Sequence, residues 1–151
     1  METGEALNTL TETIIGAAMT VHSELGPGLL ESAYEACRAI ELEQRGLRVQ
    51  RQKALPPRYR GTKLEFGYRP DLLVDEKVIV EVKAVEALVP VHASQFLSYL
   101  RLSDCPVGLL LNFNVLRLKD GIQRVVNDFP EPVALSADSA FHAVVVSKED
   151  E

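Results

Sequence analysis

At 151 residues, 46% of them hydrophobic and 25% charged, the chain has the size and composition of one globular domain that buries a core without metal or disulfide staples. No apolar run reaches the ~20 residues of a membrane span, and the N-terminal METGEALNTL lacks the basic and apolar regions of a secretion signal. A net charge of −6 argues against a protein that coats nucleic acid by charge alone.

Charge is segregated along the chain. Residues 1–44 carry eight acids and one base, Arg38, whereas residues 45–69 carry eight bases and one acid, Glu65. That basic segment reads either as a solvated strand edge or as a surface facing a polyanion. Cys37 and Cys105 stand in apolar surroundings without Cys-x-x-Cys spacing, as buried thiols of a reducing compartment do, so a cytoplasmic protein is expected.

Apolar residues at Leu7, Leu10, Ile14, Ala18, Val21 and Leu25 recur at spacings of three and four and predict a helix from Thr9 or Thr11 to Leu25. Gly26-Pro27-Gly28 ends it. A second helix is predicted from about Leu30 to Arg45, with Leu30, Ala33, Tyr34, Cys37 and Ile40 as its buried stripe and Glu31 in its first turn, where the macrodipole favours a carboxylate. The period then shortens to two. Extended pieces are expected at Leu47–Arg51 and Leu64–Tyr68, separated by Pro56-Pro57. Leu72–Val74 and Val78–Lys83 read as the arms of a hairpin turning at Asp75-Glu76-Lys77. Pro90 suits the first turn of a third helix, Val91–Ser103, on which Gln95 and Tyr99 are neighbours. The run Val107–Phe113 reads as a central buried strand. Leu116–Leu118 and Ile122–Val126 read as a terminal hairpin around Asp120-Gly121, and Phe141–Val146 as an added edge strand before a frayed end. This order predicts a single α/β domain spanning 1–151, a three-layer sandwich about a mixed sheet, with a core at about 12–128 and a tail from 130 onward.

The hairpin carries the chemistry. A three-residue loop centred on Glu76 sets Asp71 opposite Glu81, their Cβ atoms about 5 Å apart. Lys83 lies two residues further on the same face. Two hard carboxylates suit Mg²⁺ or Mn²⁺, Glu31 would add a third, and Lys83 would orient a water or stabilise developing negative charge. Alone, the pattern equally describes an ordinary surface ion pair of Glu81. His22, His92 and Cys105 lack the spacing of a zinc site. Gly26 and Gly28 follow a helix rather than a strand, so they make no dinucleotide fingerprint.

Pro70-Asp71, followed after nine residues by Glu81-Val82-Lys83, resembles the PD-(D/E)XK nuclease motif. Gly28-Leu29-Leu30-Glu31-Ser32-Ala33-Tyr34 is similar to the signature of the GxxExxY family within that superfamily. Gln95-Phe96-Leu97-Ser98-Tyr99 resembles the Gln-x-x-x-Tyr element of its exonuclease-like branch, and Lys119–Asn127 the closing hairpin. The resemblance implies a restriction-endonuclease-like core, metal binding by Glu31, Asp71, Glu81 and the carbonyl of Val82, catalysis by these carboxylates with Lys83, and positioning of the strand by Gln95 and Tyr99. His22 also resembles a family position, although a histidine satisfying helix-end carbonyls is its simpler reading. The implied function is Mg²⁺-dependent hydrolysis of DNA, or of RNA, by structure or end rather than by sequence. Arg51, Lys53, Arg58, Arg60, Lys63 and Arg69 would face the nucleic acid. The alternative is a non-catalytic module of the same fold that binds nucleic acid or a partner protein. Base readout would need an element from a second copy or a partner.

Overall fold

The computed structural model describes residues 3–55, 58–64, 68–128 and 142–146. Helix α1 spans Gly4–Leu25 and begins earlier than the periodicity indicates, because the Thr3 side chain accepts the Ala6 N–H at 3.1 Å and caps it. Gly26, at φ 70°, ends it with its N–H on the His22 carbonyl. Helix α2 follows at Glu31–Gln44. Next come β1 (Val49–Arg51), a separate two-stranded ribbon of β2 (Arg58–Tyr59) and β3 (Thr62–Lys63), then β4 (Leu72–Val74), β5 (Val78–Lys83), α3 (Pro90–Leu102), β6 (Val107–Asn112), β7 (Ile122–Asn127) and β8 (His142–Val146).

The main sheet has six strands in the order β1-β4-β5-β6-β7-β8. It is mixed, with parallel pairing of β5 with β6 and of β7 with β8 and antiparallel pairing elsewhere. The parallel β5–β6 step requires a crossover, which α3 supplies. Alternation within the strands divides the core. Val78, Val80 and Val82 face α1 and α2 together with Leu109 and Leu111, while Ile79 and Leu110 face Phe96, Leu97 and Leu100 of α3. The result is a three-layer α/β sandwich with the restriction-endonuclease-like arrangement expected from the sequence. α3 comes very close to the sheet at Gly108, where an added Cβ would lie 2.5 Å from the Phe96 ring.

Three local expectations change. On α2 the buried residues are Tyr34, Glu35, Arg38, Ala39 and Leu42, whereas Leu30 and Ile40 are 78% and 56% exposed. The helix is rolled toward β1, where Arg51 and Gln52 meet Glu35, and toward Phe113, on which Arg38 stacks. Leu116–Leu118 forms no hairpin arm. A 3-10 turn at Leu118–Gly121 leads into β7, which pairs with β6 from Leu111↔Ile122 onward. Gly121 fits there because a Cβ would strike the Asn112 carbonyl. In the Leu64–Tyr68 piece only Tyr68 is paired among the described residues, in a bridge to Leu55. Residues 65–67, Phe141 and the chain end 147–151 lie outside the described residues.

Candidate functional site

The turn between β4 and β5 places Asp75 and Glu76 at φ 52° and 57° and returns the Lys77 N–H to the Val74 carbonyl. Pairing of Leu72 with Val80 and of Val74 with Val78 is the register of a loop centred on Glu76, and one further step sets Asp71 opposite Glu81. β4 begins at Leu72, so the end of β5 runs past it, and carboxylates take up one backbone donor within β5 and one just beyond it. Asp71 Oδ2 accepts the Val82 N–H at 2.8 Å, and Glu31 Oε2, from the first turn of α2, accepts the Ala84 N–H at 2.9 Å.

Glu81 Oε1 accepts the Tyr68 hydroxyl at 2.8 Å and the Asp71 N–H at 3.3 Å. Burial, and secondarily the charge of Asp71, push its carboxyl up to about 7, against the opposing hydrogen bonds and the charge of Lys83. Burial and the same two carboxylates push the Tyr68 hydroxyl far above its ordinary value, so it remains a donor. Asp71 Oδ1 accepts Gln52 Nε2 at 3.2 Å, and the same amide reaches Glu35 Oε1 at 3.2 Å. Gln52 holds that bridge from a left-handed backbone, φ 52°.

On the α3 side of the sheet a cleft of about 130 Å³ is lined by Tyr68, Glu81, Lys83, His92, Gln95, Phe96, Tyr99 and Leu110. Tyr99 stacks on Tyr68 at 4.1 Å between ring centroids. His92 Nδ1 accepts the Val89 N–H at 3.1 Å, which fixes the ring at the start of α3. Four residues named from the sequence, Glu81, Lys83, Gln95 and Tyr99, thus share one cleft. Asp71 adjoins it through its bonds to the Glu81 and Val82 region, and Glu31 reaches the strand one residue past Lys83. Among the described residues, no three His, Cys, Asp or Glu side chains group closely enough to hold a metal ion.

The basic residues divide. Arg51 meets Glu35 at 3.5 Å, Lys53 meets Glu76 at 3.9 Å, and Arg69 donates to the Gln52 carbonyl at 3.4 Å. Arg58, Arg60 and Lys63 belong to the β2–β3 ribbon. His22 Nε2 donates to the Val115 carbonyl, 2.7 Å away, rather than to a carbonyl at its own helix end. Cys37 and Cys105 are free, and burial pushes the Cys105 thiol up to about 11. Sequence reasoning missed Tyr68, Gln52, Glu35 and His92 as parts of the site. For two of them a signal existed. Glu35 lies four residues after Glu31, and His92 three before Gln95, each on a shared helix face.

A family model described as the PD-(D/E)XK nuclease superfamily matches residues 8–125. The chain belongs to the PD-(D/E)XK nuclease superfamily. The matched span runs from α1 into β7 and contains every carboxylate described above. Searches of curated proteins and of solved structures each return no match. PD-(D/E)XK proteins are generally nucleases, and they usually use divalent metals such as Mg²⁺. The donor set here fits a hard cation. Asp71 and Glu81 offer carboxylate oxygens beside a strand end, and their mutual repulsion, which helps raise Glu81, is what a cation would relieve. No helix among the described residues is long and apolar enough to cross a membrane.

Proposed function

We propose that this PD-(D/E)XK protein is a GxxExxY-type, divalent-metal-dependent nuclease that hydrolyses DNA, with Mg²⁺ or Mn²⁺ as cofactor. The observation that carries the reading is one cleft containing Glu81, Lys83, Gln95 and Tyr99, with Asp71 bonded at its edge. Asp71, Glu81 and the Val82 carbonyl would hold the ion, and Glu31 would add a carboxylate from α2. A bound divalent ion supplies an activated water and charge neutralisation at the phosphoryl group.

The chain's own residues supply the rest. Tyr68, which lines the same cleft, and the Asp71 N–H fix the Glu81 carboxylate through its Oε1. The Lys83 ammonium, two residues on, faces the same cleft and would meet the negative charge that develops on a non-bridging oxygen. Gln95 and Tyr99 would position the scissile strand. With no separate recognition domain among the described residues, action by structure or end is the better fit than sequence-specific cutting, unless a second copy or a partner protein adds base readout. A panel of linear, circular, single- and double-stranded DNA with Mg²⁺ or Mn²⁺ tests this. Metal-dependent cleavage by the native protein, lost by about 100-fold or more in Lys83→Ala with the fold intact, is expected. Equal background cleavage by both would leave a non-catalytic binding module instead.

A further inference from the structure

The β2–β3 ribbon stands apart from the main sheet. It pairs Arg58 with Lys63 and Tyr59 with Thr62 around a two-residue turn, Arg60-Gly61, whose φ angles of 51° and 79° are those of a type I′ hairpin. All six of these residues are exposed. A two-stranded hairpin with no buried face is at the margin of stability in water, so burial of its own apolar surface does not account for these side chains. Two choices in it run against ordinary turn and surface chemistry. Arginine occupies the first central position, where asparagine or glycine adopts the left-handed conformation more easily. Tyr59 presents a large aromatic ring, 57% exposed, with the Arg60 guanidinium 5.4 Å from its centroid.

The hairpin is tethered to the catalytic cleft. The chain that carries it leaves and returns through the Leu55–Tyr68 bridge, closed by N–H···O bonds of 2.7 and 3.3 Å. The Tyr68 hydroxyl is itself the donor to Glu81.

We propose that this hairpin is a stacking platform for single-stranded DNA, with Tyr59 receiving an unpaired base and Arg58, Arg60 and Lys63 meeting the flanking phosphates. The proposal rests on the nuclease reading and narrows its substrate to strands with unpaired bases near the cleft. A base is the fitting occupant because every base offers a π face, stacking on an aromatic ring ignores sequence, and a guanidinium against the same ring adds a cation–π contact. Duplex DNA keeps those faces inside its stack and offers the hairpin phosphates only. The three cations also match a polyanion in a protein whose overall charge is −6.

Fluorescence anisotropy with a labelled single-stranded oligonucleotide and a blunt duplex of the same sequence, both in EDTA, tests it. Tyr59→Ser and Tyr59→Leu are expected to weaken single-strand binding by about 5- to 100-fold, with the duplex changed by less than about twofold. Tyr59→Phe keeps the ring and is expected to bind the single strand like the native protein. The leucine variant retains an apolar strand residue, which separates loss of the ring from loss of the hairpin. Equal losses on both probes, unchanged single-strand binding in the serine and leucine variants, or no single-strand binding by the native protein would each overturn the proposal. Tyr59-dependent binding without Lys83-dependent cleavage would instead remove the nuclease reading and leave the platform standing. Lys83-dependent cleavage with Tyr59-independent binding would do the reverse.

Discussion

Glu81 concentrates the conflict between folding and chemistry. Its carboxyl sits mostly out of water beside Asp71, and its ionisation is pushed from 4.5 up to about 7. Between those values the folded chain keeps a proton that the unfolded chain has released. Stability drawn from this group is therefore full below about 4.5, falls as pH rises through the interval, and levels off above about 7. Glu81→Gln keeps an oxygen for the Tyr68 hydroxyl and removes the charge. In metal-free buffer it is expected to be more stable than the native protein by about 1–3 kcal/mol near pH 8, and to show no such advantage near pH 4.5. Urea unfolding at the two pH values measures it, and a pH-independent difference would refute it. Much of this neighbourhood was legible in the chain, because strand alternation and a three-residue turn suffice to pair residue 71 with residue 81. The supporting contacts were not. Tyr68 reaches Glu81, and Gln52 joins Glu35 to Asp71, only after β1 has docked on β4 and α2 on the sheet. No local pattern encodes such meetings.

Helix α2 shows the same limit for a whole element. Its apolar residues suggest one buried face; packing keeps Tyr34 of that face but rolls the helix so that Glu35 and Arg38 are buried beside it. A stripe predicts burial when apolar side chains are the only groups with something to gain. Here Glu35 gains Arg51 and Gln52, while Arg38 lies over the Phe113 ring. The exchange leaves a buried cation. Arg38 is fully buried, its Nη2 lies 3.5 Å from the Ile14 carbonyl, and its Nε and Nη1 have no hydrogen-bond partner among the described residues. Burial alone pushes its ionisation down to about 9, which leaves it charged at neutral pH. Met in its place would fill similar space against Phe113 without a desolvated charge. Arg38→Met is expected to raise stability by about 1–3 kcal/mol, read as a higher urea midpoint with an unchanged slope. A lower midpoint would show that the ring contact and the single carbonyl outweigh the desolvation cost. β6 is the opposite case: its nearly continuous apolar run predicted a central strand, and all six of its residues are buried.

Over the whole molecule, the two charge blocks of the sequence fall on different structural elements. The acidic block forms α1 and α2, whereas the basic block carries β1, the β2–β3 hairpin and the approach to β4. At physiological ionic strength charges are screened beyond about 8 Å, so a phosphate chain at the hairpin responds to its local cations rather than to the net −6. The basic residues are not equivalent. Arg51 and Lys53 already face Glu35 and Glu76, which leaves Arg58, Arg60, Lys63 and Arg69 as the stronger candidates for phosphate contact. Each contact to a single strand releases about 0.7 counterion. The logarithm of the single-strand association constant is therefore expected to fall with the logarithm of salt concentration at a slope of roughly −2 to −3, and Arg60→Gln is expected to flatten it by about 0.7. If all six basic residues engaged phosphates, the slope would approach about −4. A slope near zero would mean that the basic block is a solvated edge and that the nucleic acid lies elsewhere.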